Sequence, residues 1–136
     1  MKGRAQRKRE GSAAVEFALV GPILVLLLMG LVVYGGWFWM AQAVQTMASE
    51  GARAAVAGLD PAERERLARR FIAEQAQAGA GLDPSLAVVS VQSDIEAIRV
   101  RVAYDVGGQP LLALAGPLPK PPQVIERTAV VRIGGY

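Results

Sequence analysis

Cysteine and histidine are both absent from the 136 residues. Without thiols there is no disulfide framework and no cysteine nucleophile; without imidazole the commonest general base and zinc ligand is missing. Aromatic residues are sparse, at 6%, and charge is missing altogether from one long stretch, since no Asp, Glu, Lys or Arg stands between Glu16 and Glu50. That gap explains why a chain with 20% charged residues has a mean hydropathy as high as +0.29. Setting the gap aside leaves about a hundred residues of ordinary polarity, too few for a large enzyme with a deep cleft. Asp94 and Glu96 flank a turn, but no Ser–base pair, phosphate-binding Gly-rich loop or metal-ligand spacing accompanies them. The sequence therefore points to no catalytic residue, no metal, no cofactor and no enzyme.

Within the gap, Phe17–Met40 is a run of 24 almost wholly apolar residues, and about 20 suffice to cross a bilayer as a helix. A secretory signal peptide has a shorter apolar run followed by a small-residue cleavage site. Here the run ends in Tyr34, Trp37, Phe38 and Trp39, aromatic residues of the kind that settle at a membrane interface. Lys2, Arg4, Arg7, Lys8 and Arg9 precede the run, and the next basic residue is Arg53. The positive-inside rule then puts the N-terminus in the cytoplasm and everything beyond Met40 outside. Residues 1–10 carry five basic side chains and one acid, so the overall +3 becomes −1 for the remainder. The basic tail reads as a topology signal, and no exported basic patch remains to grip a nucleic acid.

Glu16 stands at the mouth of the span, immediately before Phe17. A carboxylate there either marks the boundary among headgroups or has a functional partner, because charge in hydrocarbon is costly. Its surroundings are informative: Gly11 follows the basic tail, Ser12-Ala13-Ala14-Val15 come next, then Glu16-Phe17 and the apolar run. This resembles the prepilin-peptidase site of type IV pilin-like proteins. The resemblance implies cleavage between Gly11 and Ser12, with Glu16 as the fifth mature residue pairing with the new α-amine of a neighbouring subunit. The longer run from Gly11 through Leu24, with Pro22, together with Glu50-Gly51-Ala52-Arg53 and the alanines after it, is similar to the TadE-like family of the tight-adherence (Flp) pilus machinery. That resemblance implies a minor pseudopilin, a structural component of the pilus assembly system in the bacterial inner membrane. Its implied partners are a prepilin peptidase, other pseudopilins, the major Flp pilin, an inner-membrane assembly platform and the lipid bilayer. The alternative is an uncleaved single-pass scaffold or receptor of an envelope secretion complex. Glu50 and Arg53 are either a specific docking motif or an ordinary surface pair at i,i+3.

Beyond the aromatic residues, Ala41–Ala57 continues the helix, with Ala41, Val44, Met47, Ala48, Ala52, Ala55 and Val56 on one face. Asp60 caps a second helix, Pro61–Gln77, with Pro61 at its first position and Glu63 completing a capping box. Leu67, Ala68, Phe71, Ile72 and Gln75 form its inner side, and Gly79-Ala80-Gly81 ends it. The arginines 64, 66, 69 and 70 read as a lipid-binding patch or, interleaved with glutamates, as a solvated face. From Ala87 the period becomes two, predicting strands at Ala87–Gln92, Glu96–Val106 and Gln123–Ile133. The Pro-rich segment Gly107–Pro122 contains a short apolar turn of helix, Leu111–Ala115, that rests on the membrane or on the sheet. The expected architecture is an α+β, pilin-like, membrane-anchored fold with three parts: a basic leader 1–11, a transmembrane helix 12–40 and an extracytoplasmic domain 41–136. A long N-terminal helix extends outward, followed by an amphipathic helix and a small antiparallel sheet.

Overall fold

The computed structural model describes residues 3–78 and 81–134, and the side chains of residues 11–78 and 81–134. Helix α1 runs unbroken from Gly3 to Ala55. It continues through Pro22, which has no N–H to offer the carbonyl of Ala18. Its fate along the chain is set by what surrounds it. From Gly11 to Leu28 it is almost bare, with Phe17 76% and Leu19 68% exposed, whereas Met40, Ala41, Val44, Met47, Ala48, Ala52 and Ala55 are buried. The three- and four-residue spacing thus forms the expected face. Val56 leaves it, because α1 ends at Ala55 and the chain turns there through Val56 N–H to Arg53 O.

Helix α2, Pro61–Ala78, starts as its cap residues dictate: Asp60 Oδ1 accepts from Glu63 N–H at 2.8 Å. The Glu63 carboxylate reaches back to the N–H of Leu59, one residue beyond the usual capping-box partner, also at 2.8 Å. Ala68, Ile72 and Ala76 are its buried residues. Gln75, expected on the inner side, is exposed; the helix meets α1 along a narrow i,i+4 stripe of small residues around Ile72, and a long amide has no place in it. Gly79 and Ala80 lie outside the described residues.

Three strands, β1 Ala87–Ser93, β2 Ala97–Asp105 and β3 Val124–Arg132, form an antiparallel meander in that order. Val91 pairs with Val100 and Val100 with Ala129, so the apolar positions of all three strands fall on one face. Ile98, Val100, Val102 and Tyr104 of β2 are fully buried there. Helix α1 crosses that face over β2 and β3, and α2 lies beside α1 and against β1. The architecture is α+β, with one layer of helices on one sheet, and all of it hangs on the upper half of α1.

Two long-range ties fix the layers. Tyr104 Oη accepts from Asp83 N–H at 3.0 Å, binding the turn after α2 to the sheet. Arg64 donates to Gly58 O at 3.0 Å and to Ser93 Oγ at 2.8 Å, joining the α1–α2 turn to the end of β1. Arg64 is therefore a structural tie, while Arg69 and Arg70 pair along the helix with Glu65 and Glu74. The solvated-face reading of α2 holds for those two, and Arg64 departs from it.

Candidate functional site

The residues singled out by sequence fall into two groups at opposite ends of α1. Gly11, Ser12, Glu16 and Phe17 lie near its start, all exposed on the helix surface. Glu50, Gly51, Ala52 and Arg53 form its last turns. Glu50 stands 34 residues after Glu16, or about 50 Å along the helix, so the two motifs are not parts of one site.

At the upper end, the chemistry divides by face. Gly51 and Ala52 are buried under α2. A Cβ on Gly51 would stand 2.8 Å from Ile72 Cδ1 and 2.9 Å from Ile72 Cγ1, so glycine is what lets α2 approach. Glu50 and Arg53 point outward, 3.4 Å apart, with side chains 42% and 73% exposed. An exposed i,i+3 pair contributes at most a few tenths of a kcal/mol. The sequence motif is thus half packing and half surface.

At the lower end the geometry is that of a bare helix. Phe17, Ala18, Gly21, Pro22 and Val25 line a shallow apolar groove around the glycine and proline. Helix α1 from Gly11 onward is long and apolar enough to cross a membrane, and it fits a single-pass membrane protein.

Between the two ends lies an arrangement that the sequence does not announce. The connection between β2 and β3 folds down along α1 and contains a short helix, α3, Pro110–Ala113. Tyr34 Oη donates to Pro119 O at 2.6 Å and Trp37 Nε1 to Pro122 O at 2.9 Å. A Cβ on Gly36 would collide with Leu111 Cδ2, and one on Gly30 would touch Leu118 Cδ1 at 3.5 Å. Two of the residues read as a membrane-interface cluster, Tyr34 and Trp37, thus also hold a loop in place. The only sequence signal for this is the pairing of glycines on the helix with leucines 75 to 88 positions later, which no local periodicity reveals.

Electrostatically the head is quiet. Among the described residues no charged side chain is buried and no group of three or more carboxylates stands close enough to hold a metal ion. Asp83, outside the span, is the perturbed acid: the Ser85 hydroxyl, and after it the Ser85 N–H, hold its carboxyl below the usual carboxylate range. Its distances are 2.7 Å to Ser85 Oγ and 2.9 Å to Ser85 N, which is local capping of the turn before β1.

Residues 11–53 match the family described as TadE-like protein. The matched segment begins at the glycine beside the candidate cleavage bond and ends on Arg53, covering the bare half of α1 and the half that carries the head. No match is found among curated proteins or among solved structures.

Proposed function

We propose that this chain, TadE-like over residues 11–53, is a minor pseudopilin of a tight-adherence pilus assembly system. It inserts in the inner membrane with its basic tail inside, and a prepilin peptidase removes residues 1–11. The mature helix then joins other pseudopilins and the major pilin at the assembly platform. Its role is structural and not enzymatic. The observation that carries this reading is the division of α1: a bare apolar half beginning at Glu16-Phe17, and a half buried under a small α+β head. A bare half of this kind can pack laterally against like helices in a membrane, where small residues such as Gly21 allow close approach.

Glu16 is the assembly residue in this scheme. Pairing its carboxylate with the α-amine freed at Ser12 of a neighbour removes two desolvation penalties at once. The peptidase must unwind the turn that contains the Gly11–Ser12 bond, and glycine, at about 1 kcal/mol below alanine in helix propensity, eases that opening. Glu16→Gln is the test. The variant should insert and accumulate like the native chain yet lower surface pilus yield or its own recovery with the pilus fraction. Undiminished assembly would reduce Glu16 to a boundary residue and remove the pairing step.

A further inference from the structure

The loop docked on α1 lies lower than a solvent loop should. Val106–Pro119 contains no charged residue, and the first charge after it is Lys120. Leu114, 53% exposed, joins Val25, Leu28, Met29 and Val32 in lining an apolar groove, and Gly116 faces Met29. The bare helix below this contact, Phe17–Leu24, is 8 residues long, or about 12 Å at 1.5 Å per residue. The hydrocarbon core is about 30 Å thick. Lowering the span to begin at Ser12 adds about 8 Å, still falls short, and draws the Glu16 carboxylate into the core at a cost of several kcal/mol. A full crossing from Phe17 reaches Gly36–Trp37, where the aromatic residues stand. On that scale the groove that Leu114 lines, from Val25 to Val32, lies about 6–18 Å beneath the head-side boundary.

We propose that the segment Gln109–Pro119 is immersed in the head-side leaflet, with Leu114 and Pro117 against lipid acyl chains and Lys120 at headgroup level. The occupant of the apolar surface beside α3 is lipid, because that surface is continuous with the exposed side of the span: Leu31 and Val32 are more than half exposed at the height of Leu114, and so are Phe38 and Trp39 at the boundary above it. The proposal rests on the reading of α1 as a membrane span.

The backbone of the segment suits hydrocarbon, where irregular chain is tolerated only if its polar groups find partners within the protein. Three prolines within it, at 110, 117 and 119, remove three N–H groups. Leu112 N–H bonds Gln109 O at 3.0 Å, Leu114 bonds Leu111 O at 3.2 Å, Ala115 bonds Leu112 O at 3.2 Å and Leu118 bonds Ala115 O at 2.8 Å. The carbonyls of Pro119 and Pro122 are the ones that Tyr34 and Trp37 satisfy. Lys120, on a long apolar stem, reaches the interface by snorkelling.

The test uses the absence of cysteine. A nitroxide is attached to Leu114→Cys and, separately, to Pro117→Cys in the full chain, reconstituted in phosphatidylethanolamine–phosphatidylglycerol vesicles. Collisions with oxygen and with a water-soluble nickel chelate are then compared. Leu27→Cys is the span control and Val88→Cys, on the outer sheet face and 70% exposed in the native residue, is the water control. Both loop labels should favour oxygen over nickel several-fold, as Leu27 does, while Val88 favours nickel. Loop labels that behave like Val88, or that are shielded from both reagents as beneath a second copy, would overturn the immersion while leaving the span intact. A Leu27 label open to nickel would overturn the span reading, and the immersion with it.

Discussion

Gly51 shows how one residue sets an interface. Alanine there gains about 1 kcal/mol of helix propensity but meets Ile72 at 2.8 Å, and overpacking of this kind costs about 1–3 kcal/mol. Gly51→Ala should therefore destabilise the head modestly. Ile72→Val, which costs about 0.5–1.5 kcal/mol alone, should cost measurably less in the Gly51→Ala background because it removes Cδ1, the nearer of the two clashing atoms. Thermal unfolding of the two single variants and the double variant measures that coupling, and simple additivity would mean that the α1–α2 contact is not limited by this pair. Glu50→Gln and Arg53→Ala should each change stability by less than about 0.5 kcal/mol. A loss of pilus assembly in either, with stability intact, would then report docking by this surface. Asp83 gives the head an acid-sensitive cap. Its folded-state pKa is depressed by Ser85, so its contribution is present above the ordinary carboxylate pKa and is lost as pH falls through the lower folded value. Asp83→Asn should flatten the dependence of Tm on pH below about pH 4, and an unchanged acid limb would count against the cap.

At the scale of elements, the signals that could be read from sequence are those that repeat locally. Alternation of Ile98, Val100, Val102 and Tyr104 gives β2 and its buried face, and Asp60-Pro61-x-Glu63 gives the start of α2. The three-and-four spacing from Ala41 to Ala55 gives the buried side of α1. What could not be read is which surface receives the Pro-rich connection between β2 and β3. Gly36 and Leu111 are 75 residues apart, and a glycine in an apolar helix announces a close approach without naming the partner. Arg64 was hidden for a related reason: its charge resembles that of Arg66, Arg69 and Arg70, and only the fold brings Gly58 O and Ser93 Oγ within its reach. The contact that was hidden can be tested directly. Gly36→Val should push Leu111 away at a cost of about 1–3 kcal/mol. It should speed hydrogen exchange at the Leu112, Ala115 and Leu118 amides and leave the β2 ladder protected. Equal exchange in the two proteins would mean that the loop holds its position without α1.

For the whole molecule, one helix carries two unlike tasks. Its upper half supplies the core of the head through small residues and methionines, and its lower half stays bare for lipid or neighbouring helices. The candidate site was legible in the sequence wherever composition sets it: the basic tail, Gly11, Glu16 and the apolar run are all local. How they would act in the proposed assembly is a property of several chains. The charge follows the same division, since the full chain carries +3 and residues 12–136 carry −1. Those residues are a near-neutral head on a long apolar helix with a carboxylate near its start. Whether the leader is removed is the claim on which the pseudopilin reading depends most. It is settled by the intact mass and N-terminal peptide of the chain recovered from cells in which the major pilin is processed. The account predicts a protein that begins at Ser12; a chain that retains residues 1–11 in those cells would contradict it and identify an uncleaved membrane anchor.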